Sequence, residues 1–202
     1  MVANNIGIII LAAGESSRMG IPKQLLQYSG RSLLQHSIDT ATASGAQPII
    51  VVLGSKADII KKEIGINKIH LIVNAEWPEG MASSIRCGIK TLLELNPSTK
   101  GLIMLLCDQP HVTPDLLTDL MMTYEETGKL IVASYYRDTF GPPVFFHRTM
   151  LPDLLLLHGD VGAKGLISQH VSEMGFISFP EGSIDIDTKL DYQNLTKDKS
   201  VS

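Results

Sequence analysis

Gly7 to Leu11 reads Gly-Ile-Ile-Ile-Leu, with no polar residue to turn toward water. A continuous β-branched run of this kind fits a strand covered on both faces. Such strands belong to parallel sheets with helices packed on each side. The chain then repeats the theme. Pro48 to Leu53 (PIIVVL) and Leu102 to Leu106 (LIMLL) read as further buried strands, and His70 to Val73 as a weaker one. Between them lie amphipathic stretches. Ser32 to Ser44 carries Leu33, Leu34, Ile38 and Ala41 at helical spacing, with Gly45 as a stop. Lys56 to Glu63 reads as a short helix. Met81 to Leu95 is a helix ended by Asn96-Pro97, and Pro114 to Thr127 is a helix with proline in its first turn. Leu130 to Ser134 and Pro143 to Phe146 are later strands. Helices near Met150 to Leu157 and Ala163 to Glu173 follow, then a last strand near Gly175 to Phe179. Strand alternating with helix predicts an α/β fold, a three-layer α/β/α sandwich around a mostly parallel, Rossmann-like sheet.

Composition narrows the function. Of 202 residues, 17 are Lys or Arg and 21 are Asp or Glu, a net charge of −4. That balance argues against a nucleic-acid coat of basic charge, so any phosphate site must be local. The run from Ile6 to Ala13 is shorter than the roughly 20 residues that span a bilayer, and Met1 to Asn5 lacks the basic start of a signal peptide. Cys87 and Cys107 show no paired metal spacing and read as thiols of a reducing cytoplasm. The expectation is a cytoplasmic protein with neither membrane nor nucleic-acid partners. For this length the surface scaling law gives roughly 9,000 Å² of folded surface. One domain is expected over residues 1–196, with a polar tail at 197–202.

In doubly wound sheets, ligands bind at the carboxyl ends of the strands. The loops after Leu11, Leu53, Val73 and Leu106 should therefore line one crevice. The first reads Leu11-Ala-Ala-Gly-Glu-Ser-Ser-Arg-Met-Gly-Ile-Pro-Lys23. Ala12, Ala13 and Gly14 permit close backbone approach. Ser16 and Ser17 add hydroxyls, and Arg18 and Lys23 add two cations. Backbone N–H groups with Arg and Lys suit several phosphates. The loop is neither a Walker loop nor a G-x-G-x-x-G fingerprint. A glycine-containing turn with ordinary surface cations is the competing reading.

The motif L-A-A-G-x-S-x-R-M-G-x-x-K closely resembles the signature loop of nucleotidyltransferases with the GT-A-like α/β fold. Within them it is most similar to the molybdenum cofactor cytidylyltransferase family. The resemblance implies that Leu11, Ala12, Ala13, Gly14, Ser16, Met19 and Gly20 wrap a nucleoside triphosphate, with Arg18 and Lys23 on its phosphates. Leu11-Ala-Ala-Gly14, where guanylyltransferases usually read L-A-G-G, is the form the resemblance associates with CTP.

Glu79-Gly-Met-Ala-Ser-Ser-Ile-Arg-Cys-Gly88 follows the third strand. Gly80, Ser83 and Ser84 sit where a loop becomes a helix, so hydroxyls and free N–H groups are expected to point outward. A plain serine cap is the simpler alternative. The stretch resembles the family's G-M-x-x-S-L/I-x-x-G-L/I segment, which implies a place beside base and ribose.

Cys107-Asp-Gln-Pro110 directly follows a strand, which aims Asp108 into the crevice. One carboxylate with triphosphate oxygens is a usual way to hold Mg²⁺. An Asp before Gln-Pro is equally a turn former. C-D-Q-P resembles the family's metal motif, which implies Asp108 as a Mg²⁺ ligand. Ile184-Asp-Ile-Asp-Thr188 resembles the family's D-I-D-T motif and implies a second ligand, Asp187 in preference to Asp185. The family's usual Pro-Glu-Asp continuation is replaced here by Lys189-Leu190-Asp191.

Two later stretches resemble the family's acceptor-facing half. Phe140-Gly-Pro-Pro-Val-Phe-Phe146 is similar to its G-x-P-x-L/F strand. Gly159-Asp-Val-Gly-Ala-Lys164 is similar to its G-D-x-G-A-R/K motif, with Lys164 in place of the more frequent arginine. The resemblance implies Gln109, Pro143, Asp160, Gly162 and Lys164 as acceptor contacts. It implies a nucleotide half at about 1–110 and an acceptor half at about 111–196. A routine helix start and core phenylalanines explain the same residues without a ligand. No histidine pair has zinc spacing, and no G-x-S-x-G elbow occurs.

The implied reaction moves CMP from CTP to the terminal phosphate of the molybdopterin molybdenum cofactor and releases pyrophosphate, with Arg18, Lys23 and Asp108 at its centre. A molybdenum hydroxylase is the implied recipient of the product. The alternatives are a related enzyme using GTP or another phosphate or sugar acceptor, and a cofactor-carrying chaperone.

Overall fold

Strand β1 (Ile6–Ala12) is followed by a small hairpin of β2 (Gln27–Tyr28) and β3 (Arg31–Ser32). Then come β4 (Ile49–Leu53), β5 (His70–Val73), β6 (Gly101–Leu106), β7 (Ile131–Tyr136), β8 (Thr139–His147) and β9 (Gly175–Ser178). The helices are α1 (Leu33–Ala43), α2 (Ala57–Glu63), α3 (Met81–Leu95), α4 (Pro114–Thr127), α5 (Leu151–Leu155), α6 (Lys164–Gln169) and α7 (Lys189–Lys197). This computed structural model describes residues 5–16, 20–65, 69–186 and 188–197.

Seven strands form one sheet in the order β5-β4-β1-β6-β8-β7-β9. All its neighbours pair in parallel except β8, which runs antiparallel to both β6 and β7. The alternation along β1 splits the core in two. Ile6, Ile8 and Ile10 pack toward α1, α2 and α4, while Ile9 and Leu11 pack toward α3, α5 and α6. The three-layer α/β/α sandwich expected from the sequence is therefore present, and both faces of the GIIIL strand are dry because each is covered by helices. The accessible surface is 9715 Å².

Most element boundaries follow the local signals. Ser32 caps α1 by accepting from Gln35 N, and Thr113 caps α4 by accepting from Leu116 N. Three differences stand out. The helix expected at 163–173 spans only Lys164–Gln169, because His170 N turns to Ile167 O in an i+3 bond (3.0 Å) that tightens its end. The strand expected at 143–146 extends over Thr139–His147. Its two prolines sit where the β7–β8 register shifts between Ala133 and Ser134, so neither is needed as a ladder donor. The β2–β3 hairpin was not expected, since two-residue strands carry no periodicity. Helix α7 runs through Lys197, and residues 198–202 of the expected tail lie outside the described residues.

The connection from β5 to β6 carries the chain past β1 to its other side. The carboxyl ends of β1 and β6 therefore flank the point where strand order reverses, with Leu11 opposite Leu106. A crevice opens at such a point because successive connections leave on opposite sides of the sheet.

Candidate functional site

A cleft of about 360 Å³ occupies that crevice. Its floor is Leu11 to Glu15 on one side and Leu106 to Asp108 on the other. Lys23, Gln24, the stretch Trp77 to Met81, Ser84 and Asp160 complete the wall.

The loop after β1 is held in shape from behind by Gln24, only 1% exposed. Its Nε2 donates to Ala12 O (2.9 Å) and Gly14 O (3.0 Å), and its Oε1 accepts from Ser16 Oγ (3.4 Å). Ser16 Oγ also accepts from Lys23 N (3.0 Å). Ser16 thus closes the loop onto the segment that carries Lys23. The carbonyls of Ala12 and Gly14 turn toward Gln24, that of Ala13 accepts from Ser55 N (3.2 Å), and Ala12, Ala13 and Gly14 line the cleft with nothing larger than a methyl group. Gly20 is exposed and outside the cleft lining. Ser17, Arg18 and Met19 lie outside the described residues.

Asp108 is 8% exposed. Its Oδ2 pairs with the ammonium of Lys23, and its Oδ1 is buried with no hydrogen-bond partner among the described residues. A buried carboxylate oxygen without a donor is costly unless something else satisfies it. An oxygen-seeking divalent cation that also takes phosphate oxygens fits this position. Neighbouring Cys107 is fully buried, and burial pushes its thiol up to about 12, so it stays neutral beside the carboxylate. Ile186 N donates to Asp108 O (3.2 Å), bringing the 184–188 segment alongside. Asp187 lies outside the described residues. Asp185 is exposed and lines a separate pocket with His111 and Arg137.

The second wall begins at Trp77. Its Cβ and Cγ press on Gly54, where an added Cβ would lie 2.6 Å and 2.8 Å from them. Only glycine permits that approach. Gly80 has φ +118°, and a Cβ there would meet the Asp160 Cα at 2.5 Å. Ser84 lines the cleft and also accepts from Asn74 Nδ2 (3.1 Å), whereas Ser83 lies behind the lining. Its Oγ accepts from Asn74 Nδ2 (2.7 Å) and faces the carbonyls of Glu76 and Gly80 (2.9 Å each). Ser83 therefore ties the start of α3 to the turn before it, but it is not the helix cap: Gly80 holds that position, with no side-chain bond to a helix N–H.

The acceptor-side residues divide. Asp160 lines the cleft, and Gly162 packs on Met81 Sδ, which an added Cβ would meet at 2.9 Å. Lys164 is exposed at the start of α6, outside the cleft lining. Gln109 is 2% exposed, and its Nε2 donates to Pro142 O (3.1 Å) and Gly182 O (3.2 Å). Pro143 is buried, its carbonyl accepting from Ser134 Oγ (2.8 Å). In this structure both brace the loop after β6 and strand β8.

Sequence reasoning passed over Gln24, Trp77 and Glu79. Gln24 directly follows Lys23, and Trp77 is the chain's one tryptophan, three residues ahead of Gly80. Those positions were the available signals. Glu79 pairs with Arg86 (Nη1–Oε1 2.9 Å, Nη2–Oε2 2.6 Å). That guanidinium, together with the N–H of Gly159, holds the Glu79 carboxyl down at about 2.

A βα crevice with a small-residue loop, a lysine and a buried, half-satisfied carboxylate is suited to holding a nucleoside triphosphate and a divalent cation. Residues 8–174 match the MobA-like NTP transferase domain, and the chain belongs to that family of nucleotidyltransferases. Its structure superposes on the crystal structure of Rv0371c from Mycobacterium tuberculosis with TM-score 0.83 and 30% identity, covering 98% of this chain and all of that one. A manganese complex of the same mycobacterial protein matches with TM-score 0.80 and 27% identity over 96% of this chain and 98% of that one. Among named relatives, the purine catabolism protein PucB of Bacillus subtilis is 27% identical over 94% of this chain and 95% of its own length. Nicotine blue oxidoreductase of Paenarthrobacter nicotinovorans is 27% identical over 89% and 91%. No helix among the described residues is long and apolar enough to cross a membrane.

Proposed function

We propose that this nucleotidyltransferase transfers CMP from CTP to the terminal phosphate of the molybdopterin molybdenum cofactor. The observation that carries the catalytic part is the buried, unpartnered Oδ1 of Asp108 beside Lys23 at the reversal point of the sheet. The choice of CTP and of the acceptor is supported by the Leu11-Ala-Ala-Gly14 and Gly80-Met-Ala-Ser-Ser84 resemblances.

A phosphate oxygen of the acceptor attacks the α-phosphorus. A new P–O bond forms, the bond from the α-phosphorus to the bridging oxygen breaks, and pyrophosphate leaves with its electron pair. The nucleophile is already an anion, so no protein base is required. Repulsion between negative groups is the barrier to offset, and fixed positive charge offsets it. Lys23 faces the triphosphate, and the resemblance gives Arg18, outside the described residues, the same role. The N–H groups of the 12–16 loop fix its place, and Ser84 and Gly80 border base and ribose. Asp160 faces the acceptor; Gly162, Lys164, Gln109 and Pro143, which lie outside the cleft lining, are the further acceptor contacts that the resemblance implies. Asp108 and Asp187 would hold Mg²⁺. Such a cation, when bound, screens phosphate charge and aligns the attacked group. The two cysteines are free thiols, which suits a cytoplasmic enzyme handing its product to a molybdenum hydroxylase.

The test is pyrophosphate release by the purified protein offered each nucleoside triphosphate with the molybdopterin cofactor and Mg²⁺. Release with CTP supports the reading. Absence of release with CTP, or release with GTP alone, overturns it. Asp108→Ala separates an enzyme from a pure carrier, since a carrier would still deliver cofactor.

A further inference from the structure

The wall between Trp77 and Asp160 is built from two parts of the chain about eighty residues apart, and the contacts joining them are of an unusual kind for a surface. Glu79 takes the guanidinium of Arg86 bidentately and also accepts from Gly159 N (3.0 Å). Arg86 Nη1 donates onward to Leu157 O (2.6 Å), and its side chain is largely buried. Two backbone amides of α3 complete the join. Ala82 N donates to Gly159 O (3.2 Å), and Met81 N to Asp160 Oδ1 (3.4 Å). Gly80 lets the two backbones touch.

The two sides are anchored unequally. Helix α3 buries Ala82, Ile85, Ile89 and Leu92 completely, so it keeps its place without the join. The 156–162 segment has a weaker anchor, the half-buried Leu157 packed against the same core. Leu156 is 72% exposed and Val161 49% exposed, and the segment hangs between the short helices α5 and α6. Beyond Leu157, the polar contacts that hold Gly159 and Asp160 beside the cleft are those of the join.

We infer that Glu79 and Arg86 are positioning residues that latch the 157–160 loop to the start of α3 and so preform the acceptor side of the cleft. The inference rests on the proposed function for the word acceptor; the latch stands on its own contacts. Preforming matters because a loop ordered in advance does not charge its ordering entropy to ligand binding. Because Ser84 lies on α3 and Gly80 directly precedes it, the nucleotide side stays formed when the latch opens, and the acceptor side alone loosens.

The experiment compares the wild-type chain with Glu79→Gln and Arg86→Met. Glu79→Gln keeps the shape and an acceptor for Gly159 N–H but removes the charge, and circular dichroism checks that each variant folds. Amide exchange of the free proteins should rise about tenfold in peptides covering 157–162 and stay unchanged in those covering 85–95. In pyrophosphate release, KM for the acceptor should rise about tenfold while KM for CTP moves by less than about twofold. Unchanged exchange at 157–162 overturns the latch. So does an equal rise in both KM values. If the wild-type chain releases no pyrophosphate from CTP, the proposed function falls, and the exchange measurement still decides the latch.

Discussion

Lys23 and Asp108, 85 positions apart in sequence, meet at the floor of the cleft, and only one oxygen of the carboxylate is used in the meeting. The ammonium neutralises Asp108 without filling its coordination. A cation bound at Oδ1 would lie close to an existing positive charge, so its affinity should lean on the phosphates that arrive with it. The pair is thus arranged to bind metal with nucleotide and weakly without it.

Replacing Asp108 by Ala should lower turnover by about a thousandfold, the scale of removing a principal charge-stabilising group. Calorimetric titration should show divalent-cation binding in the presence of nucleotide for the wild type and none for the variant. Chelating divalent metal should abolish wild-type activity, and its return should restore it.

Gln24→Leu removes the donor to Ala12 O and Gly14 O without changing side-chain bulk greatly. Leaving buried carbonyls unpaired costs about 1–3 kcal/mol. Chemical denaturation should show a loss on that scale. KM for the nucleotide should rise severalfold with little change in circular dichroism, because the loop relaxes while the sheet does not.

Gly80→Ala places a methyl group against the backbone of Asp160 at a φ that side chains rarely adopt. A strain of about 1–3 kcal/mol is expected, read as a lowered unfolding midpoint in denaturant. Activity should fall further than stability alone explains, since the wall of the cleft is displaced.

Stability should depend on pH through Glu79. Its folded-state pKa is lowered from 4.5 to about 2, first by Arg86 and then by the Gly159 N–H. The ionised form is the one the fold favours, so the stabilisation is complete above the unfolded value near 4.5 and is lost as pH falls toward about 2. Thermal unfolding of wild type and Glu79→Gln should therefore differ by a constant gap above that window and converge through it. A gap that widens on acidification would contradict this sign.

Local sequence was enough for α3 and α4, whose ends coincide with those read from helical spacing, from Asn96-Pro97 and from the first-turn Pro114. It was enough for β1, because a run of isoleucines has few other resting places. It also placed Gly14, Lys23, Ser84 and Asp108 at strand ends, since a doubly wound sheet puts those loops together whatever their spacing. Side-chain direction was less legible. Ser83 and Ser84 are neighbours of the same type, and both accept from Asn74 Nδ2 (2.7 and 3.1 Å), yet of the two Ser84 alone lines the cleft. A turn of about 100° per residue separates them, and which one faces the ligand depends on how α3 sits on the sheet.

By itself, then, the sequence determined the alternation of strand and helix, the two-faced burial of the central strands and the identity of the loops that meet at their ends. These follow from periodicity and from the geometry of parallel crossovers, which act over a few residues or are the same in every such sheet. Only the tertiary structure decided that β8 runs against β6 and β7, that Gln24 carries the first loop on its back, and that Glu79 and Arg86 hold a loop that comes some eighty residues later. Each of these is a pairing of polar groups, over ten to twelve residues for Gln24, forty or more for β6 with β8, and eighty for Glu79 with Gly159. Such pairings are set by which surfaces the packed core leaves adjacent, and no local pattern encodes that.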